Sequence, residues 1–342
     1  QDTTNITVGT ADQAISAFAA NPANGTVDGN STLSATASSG LAVTFGSSTE
    51  AVCTVAGSTV TYLSTGTCTV TANQAGDDDY NAASQVTTNI TVAKADQTIS
   101  AFTANPANGT VDGNSTLSAT ASSGLAVTFG SSTPAICTVT GSTVTLIASG
   151  TCTVTADQAG DDDYNAAPQE TLNIGVDKTD QTISGLAADP AAGVVDGTSV
   201  LSATASSGLA VTFGSSTGAV CTVAGSTVTY LAAGICTVTA NQAGDVDYKA
   251  APQVTADIAV GKADQTISDF AANPANGTVD GNSTLSATAS SGLAVTFGSS
   301  TPAICTVAGS TVTYLIDGTC TVTANQAGDD DYNAAPQVTT DI

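Results

Sequence analysis

STLSATASSGLAVTFGSSTEAVCTVAGSTVTYLSTGTCTVTAN, residues 31–73, alternates apolar and polar side chains along most of its length. Leu33, Ala35 and Ala37 fall on one side of Ser31 to Ala37, with Thr32, Ser34 and Thr36 on the other. Leu41, Val43 and Phe45 alternate with Ala42, Thr44 and Gly46. Ala51, Cys53 and Val55 share a face, as do Val60 and Tyr62, and as do Cys68, Val70 and Ala72. A period of two, carried by Thr and Val, predicts half-buried strands and leaves no room for a competing helical period. Asn24-Gly25, Asp28-Gly29, Ser39-Gly40 and Ala56-Gly57 punctuate these runs as turns, where glycine tolerates positive φ. Val86, Thr88, Ile90 and Val92 close the unit. About seven short strands, each with one apolar face, must bury those faces between two sheets, so each unit reads as a β-sandwich.

The unit is 84 residues long and recurs four times without insertion: ADQAISAF begins at Ala11, ADQTISAF at Ala95, TDQTISGL at Thr179 and ADQTISDF at Ala263. A fixed period of this length predicts an array of small domains rather than one large core. The boundaries are repeat 1 at 11–94, repeat 2 at 95–178, repeat 3 at 179–262 and repeat 4 at 263–342, preceded by an orphan N-terminal strand at 1–10. Each repeat is near the small end of independently folding domains, where a covalent brace helps.

Two cysteines per repeat, always 15 positions apart, predict four intra-domain disulfides: Cys53–Cys68, Cys137–Cys152, Cys221–Cys236 and Cys305–Cys320. Eight free thiols in a reducing compartment, or pairing between chains, are the alternatives. A strand at Ser58 to Leu63 lies between Cys53 and Cys68. Bridged Cα atoms must lie within about 7 Å, and next-but-one strands are about 9–10 Å apart. The second cysteine strand must therefore pair beside the first or face it from the opposite sheet. Closing a loop of this size stabilises by ~3 kcal/mol in the chain-entropy picture.

ATASSGLAVTFGSSTPAICTV (119–139), followed by GSTVTLIASGTCTVTADQAGDDDYNAAP (141–168), resembles the tandem bacterial Ig-like repeats of large secreted and surface-anchored proteins. The resemblance extends over nearly the whole chain, and the paired-cysteine and AG-x-x-x-YNAA segments carry it. It implies an all-β chain of four tandem Ig-like β-sandwich domains, an extracellular or cell-surface place, and work as a stalk, adhesin or fibre subunit. It fixes no ligand, since such repeats often serve as spacers. Antibody-type domains differ: this chain has no Trp, and its cysteines are far closer in sequence.

Composition excludes several function classes. The chain has no His, Met or Trp, four Lys as its only basic residues, and a formal net charge of -25. Such a charge disfavours nucleic acid and anionic membrane surfaces as partners. Without His, Ser-His-Asp and Cys-His nucleophiles and the usual zinc sites cannot be built, and no Arg is present to clamp a phosphate. An enzyme is not expected. No apolar run reaches the ~18 residues of a membrane-spanning helix, so no membrane insertion is expected. The sequence begins at Gln1, which fits a processed exported protein and equally an excised fragment.

The repeats join directly. ITVAK (90–94) runs into ADQTI, and GVDKTDQTI and AVGKADQTI are as short. Without a Gly/Ser-rich spacer the domains are expected to meet end to end at restricted angles. Sandwiches about 35–45 Å long would give a rod on the order of 150 Å. QDTTNITV (1–8) matches QVTTNITV (85–92), the final strand of a unit, yet no domain precedes it. A window cut from a longer array accounts for this. So does an assembly strand, with Thr4, Ile6 and Val8 on one face, that adds to the last domain of a neighbouring subunit and propagates head to tail.

Every repeat also carries an acidic turn: Asp77-Asp78-Asp79, Asp161-Asp162-Asp163, Asp245-Val246-Asp247 and Asp329-Asp330-Asp331. Asp77 with Asp79, Asp161 with Asp163, Asp245 with Asp247 and Asp329 with Asp331 are the candidate Ca2+ ligands, against the plainer reading of a solvated turn. The EF-hand pattern is not met, because Ala82 stands where Gly is needed. Eight Asn-x-Ser/Thr sequons, at Asn5, Asn24, Asn30, Asn89, Asn108, Asn114, Asn276 and Asn282, fall mostly in turns whose Asn-Gly or Gly-Asn chemistry already explains them. Tyr80, Tyr164, Tyr248 and Tyr332 precede the last strand of each unit and read as aromatics capping their own cores.

The expected function is therefore a structural subunit of an extracellular filament or cell-surface stalk, its main partner being another copy of itself. A calcium-dependent adhesin that binds a glycan or a host protein is the alternative.

Overall fold

The computed structural model describes Gln1 and residues 3–342; Asp2, part of the expected N-terminal strand, lies outside the described residues. Every regular element among the described residues is a strand. In repeat 1 these are β1 (Ile15–Asn21), β2 (Gly25–Thr26), β3 (Asn30–Ala37), β4 (Thr44–Ser47), β5 (Cys53–Ala56), β6 (Thr59–Tyr62), β7 (Gly66–Asn73) and β8 (Val86–Ala93). They form two four-stranded sheets, in the orders β1-β3-β6-β5 and β2-β8-β7-β4. All pairings are antiparallel except β2 with β8, where Gly25 lies opposite Val92 and Thr26 opposite Ala93. Repeats 2 and 3 reproduce both sheets.

The alternation that predicts the strands also builds the core. β3 buries Ser31, Leu33 and Ala37 and exposes their neighbours; β6 buries Val60 and Tyr62; β7 buries Cys68, Val70 and Ala72. Leu33, Val60, Tyr62, Val70, Ile90 and Val92 pack as one cluster around the Cys53–Cys68 bridge. Phe18 on β1 and Phe45 on β4 stack across the sandwich with ring centroids 5.7 Å apart. Among the described residues four such clusters exist, one in each repeat.

The cysteine strands belong to opposite sheets, β5 to one and β7 to the other, so the bridge spans the core instead of joining neighbours in a sheet. All four bridges are present, with Cα–Cα separations of 5.6–5.7 Å, and every half-cystine is fully buried.

Three expectations need correction. The strand foreseen from Leu41 to Gly46 begins only at Thr44 and continues to Ser47. β1 and β2 went unforeseen: β1 carries a register shift between Ser16 and Ala19 that breaks the period of two, and β2 is only two residues long. The turn at Asp28-Gly29 takes its positive φ at the aspartate (64°), not at the glycine. Gly29 is needed for space, since a Cβ there would stand 2.9 Å from the Thr26 carbonyl oxygen. Asp is among the few residues that tolerate the left-handed region, and Asp112, Asp196 and Asp280 adopt it as well.

The chain divides into two compact units, Gln1–Lys178 and Thr179–Ile342, each holding two core clusters. Within the second unit, repeat 4 departs from the others. Its second sheet has three strands, Thr296–Ser299, Thr321–Asn325 and Val338–Asp341, and Gly277-Thr278 has no strand partner.

Candidate functional site: the joint between repeats

The acidic turn builds its own scaffold. Asp161 accepts hydrogen bonds at Oδ1 from the amides of Asp163 and Tyr164, both at 2.9 Å, and its own amide donates to the Tyr164 carbonyl. An aspartate that bonds the backbone two and three residues ahead closes a tight turn and fixes the direction of the chain beyond it. Asp77, Asp245 and Asp329 do the same in their repeats. The Ala95 amide donates to the Asp163 carbonyl and the Asn165 amide to the Ala95 carbonyl, so the turn is laced to the first residues of its own repeat.

This scaffold aims two side chains at the preceding repeat. Tyr164 donates its hydroxyl to Asp28 Oδ2 at 2.6 Å, and Asp163 Oδ1 accepts the Thr65 amide at 2.7 Å. The Thr65 hydroxyl donates to the Asp162 carbonyl at 3.1 Å, and the Lys94 ammonium to the Asp161 carbonyl. Between these polar contacts, Ala95 and Tyr164 pack against the repeat 1 cluster that contains Val27 and Val92. The second unit repeats the arrangement. Tyr332 donates to Asp196 Oδ2 at 2.6 Å, Asp331 Oδ1 accepts the Ala233 amide at 2.7 Å, and Lys262 donates to the Asp329 carbonyl. Ala263 and Tyr332 pack against the repeat 3 cluster.

Tyr164 and Tyr332 therefore do not cap their own cores, as their position in sequence suggests; each lies over the core of the repeat before it. The receiving carboxylate is the main cause of a raised phenol pKa. For Tyr164 the hydrogen bond to Asp28 comes first, then desolvation, then the charges of Asp28, Asp161 and Asp163, all lifting it above the ordinary 10.0. Tyr332 is raised likewise, led by its bond to Asp196.

The candidate calcium ligands are placed by the same contacts. Asp77, Asp161, Asp245 and Asp329 cap their own turns, and Asp163 and Asp331 cap amides of the preceding repeat. Among the described residues no three acidic or cysteine side chains converge as a metal-binding group. Thr4, Ile6 and Val8 of the expected assembly strand belong to no strand here and are exposed, Ile6 to 84% and Val8 to 93%.

No protein-family profile matches the chain, and no curated protein does. Among solved structures, domains 1–6 of the surface layer protein SbsC are 17% identical over 97% of this chain and 54% of that one, with a TM-score of 0.26. The Escherichia coli adhesin FdeC is 20% identical over 74% of this chain and 98% of that one, at 0.23. Drosophila N-cadherin EC1-4 is 12% identical over 87% and 90%, at 0.22. The chain spans about half the length of the surface-layer fragment. Likenesses this distant identify neither a partner nor an activity. No helix among the described residues is long and apolar enough to cross a membrane.

Proposed function

We propose that this protein is a structural subunit outside the cell or on its surface, a filament subunit or stalk whose domains, set at 11–94, 95–178, 179–262 and 263–342, bear load through a recurring joint. The observation that carries this reading is the joint itself. One hydroxyl–carboxylate bond and one carboxylate–amide bond recur at the same distances in both units. An apolar contact lies between them. Such a set holds one repeat on the next at a defined angle, as a load-bearing array needs and a string of independent binding modules does not. Core-spanning disulfides in every repeat fit an oxidising, extracellular place.

Residues 1–8 supply the head-to-tail connection in this reading. Residues 3–8 repeat Thr87 to Val92 of β8, and their apolar side chains Ile6 and Val8 are left to solvent. An apolar alternating segment without a sheet is suited to strand addition. Electron microscopy of the purified chain tests the proposal: continuous fibres are expected, and deletion of residues 1–10 is expected to leave only single particles. Normal fibres from that deletion would overturn strand addition. Single particles from the intact chain at every concentration, with heat released on calcium titration, would favour the adhesin reading instead.

A further inference from the structure

Two Asn-x-Thr triplets recur in repeats 1, 2 and 4: Asn24-Gly25-Thr26 with Asn30-Ser31-Thr32, Asn108-Gly109-Thr110 with Asn114-Ser115-Thr116, and Asn276-Gly277-Thr278 with Asn282-Ser283-Thr284. Turn chemistry, the reason that the sequence alone offers for them, does not hold in the structure. Asparagine favours turns because it tolerates positive φ or bonds the nearby backbone. None of these six takes a positive φ; the left-handed residue of that turn is Asp28, Asp112 or Asp280. Asn30, Asn114 and Asn282 instead open strands, opposite Thr61, Thr145 and Thr313. All six asparagines and their threonines are exposed. Among the described residues none of these side chains has a hydrogen bond, except that Asn108 Oδ1 accepts the Gly175 amide, which leaves its Nδ2 without a partner.

Repeat 3 separates these pairs from the fold. Its triplets are Ala192-Gly193-Val194 and Thr198-Ser199-Val200: asparagine and threonine are both replaced, twice, and the central residue is kept both times. The central residue is the one that packs. A Cβ on Gly25 or Gly193 would strike the ring of Tyr62 or Tyr230. Ser31 and Ser199 are buried and donate to the carbonyls of Pro22 and Pro190 at 2.8 Å. The flanking replacements gain no burial, for Val194 is still 52% exposed and Val200 55%. An exposed valine in place of threonine loses a hydrated hydroxyl and buries nothing in return. Packing therefore gives no reason for the two flanking residues to change together. A reaction that reads an amide and the hydroxyl two residues on as one unit gives that reason. We propose that Asn24, Asn30, Asn108, Asn114, Asn276 and Asn282 carry N-linked glycans and that the matching sites of repeat 3 are bare. The donor is a lipid-linked oligosaccharide pyrophosphate, met by the chain during export. The Asn Nδ2 bonds to the anomeric carbon, the bond from that carbon to the pyrophosphate oxygen breaks, the amide gives up one proton and the lipid pyrophosphate leaves. Asn24, Thr26 and Asn30 line one surface cleft of about 300 Å³, which leaves room around both amides. Asn89 needs no such reason: its Oδ1 accepts the Thr69 hydroxyl, a bond that Asn173, Asp257 and Asp341 make in their own repeats. The inference rests on the extracellular place proposed above and is independent of the filament and the stalk.

Peptide mass mapping of the full chain, secreted by the cells that make it and cleaved before aspartate, tests the proposal. A cut before Asp28 places Asn24 and Asn30 on separate peptides. Each of the six asparagines is expected to carry a sugar mass, located on its side chain by fragmentation that keeps the glycan attached. The repeat 3 peptides that hold Ala192 and Thr198 are expected at their bare masses. T26V and T32V are expected to lose the glycan at Asn24 and Asn30 completely while the Cys53–Cys68 bridge still forms, since repeat 3 has valine at both places and forms its own bridge. The converse pair, T198N with V200T, is expected to install a glycan on repeat 3. Bare asparagines in a chain whose four disulfides have formed would overturn the glycans and leave the extracellular reading standing. Bare asparagines together with free cysteines would overturn both. Sugar found on Ser or Thr, with all six asparagines bare, would overturn the assignment as well.

Discussion

Tyr164 reaches back 136 residues to place its hydroxyl 2.6 Å from a carboxylate oxygen of Asp28, and in doing so covers the core of a repeat to which it does not belong. The donor stands on a turn closed by Asp161, and the acceptor on a residue whose positive φ turns its side chain outward. Among the described residues neither side chain makes a hydrogen bond inside its own sandwich. The pair therefore makes the connection between repeats, not the fold of either.

Tyr164→Phe keeps the ring over Val27 and removes only the bond. Repeats 1 and 2 are expected to fold as before, while the first unit melts about 2–4 °C lower, the shift that results from losing a single exposed polar contact in a body of this size. Small-angle scattering of residues 1–178 is expected to show a broader spread of inter-repeat angles. An unchanged melting curve together with unchanged scattering would mean that the apolar contact alone sets the joint.

The joint is expected to fail in alkali. Tyr164 and Tyr332 have raised pKa values in the folded protein, chiefly through their bonds to Asp28 and Asp196. A phenol whose folded pKa lies above its unfolded value contributes stability that is fully present below about pH 10. That contribution is lost as pH rises through the folded pKa, when phenolate faces carboxylate. Ultraviolet titration should show Tyr164 and Tyr332 ionising late, and D28N and D196N should each return one of them toward 10.0.

Much of this architecture was legible in the sequence, and the gaps have physical causes. β3, β6, β7 and β8 announce themselves because one face of each is buried and the other is wet. The disulfides are foreshadowed by two cysteines per repeat at constant spacing. β1 was hidden by its irregularity at Ala17, which shifts the register and so scrambles the alternation. The role of Tyr164 was hidden for another reason. In a tandem array every residue recurs, so sequence alone cannot say whether Tyr164 meets its own repeat or the one before. The available signal was the matching recurrence of Asp28, Asp112, Asp196 and Asp280 in the same turn of every repeat.

The irregularity in β1 also leads to a stability prediction. Ala17 and Ala101 sit at φ 54° and 53°, where repeat 3 has Gly185 at φ 68°. An L-residue there costs roughly 1–2 kcal/mol relative to the right-handed region, a cost that glycine avoids and that its greater unfolded-state freedom partly offsets. Ala101→Gly is therefore expected to raise the denaturant midpoint of repeat 2 by an amount equivalent to about 0.5–1 kcal/mol. Because Ala101 is exposed, no packing is lost. A lower midpoint would show that the backbone relaxes around the alanine without strain.

Asp161→Ala distinguishes a structural turn from a calcium ligand. Asp161 Oδ1 holds the amides of Asp163 and Tyr164, the two residues whose side chains reach repeat 1. Removing it should loosen the turn, at a cost of about 1 kcal/mol for a lost cap of this kind, and should weaken both contacts across the joint together. The loss is expected to be the same in calcium and in chelator, since the groups that Asp161 binds are amides of its own backbone. A melting difference between parent and variant that appears only when calcium is present would assign the carboxylate to the ion. In that case Asp163, which caps Thr65, would be the next residue to replace, because a second ligand on the same turn would have to give up its bond to the neighbouring repeat.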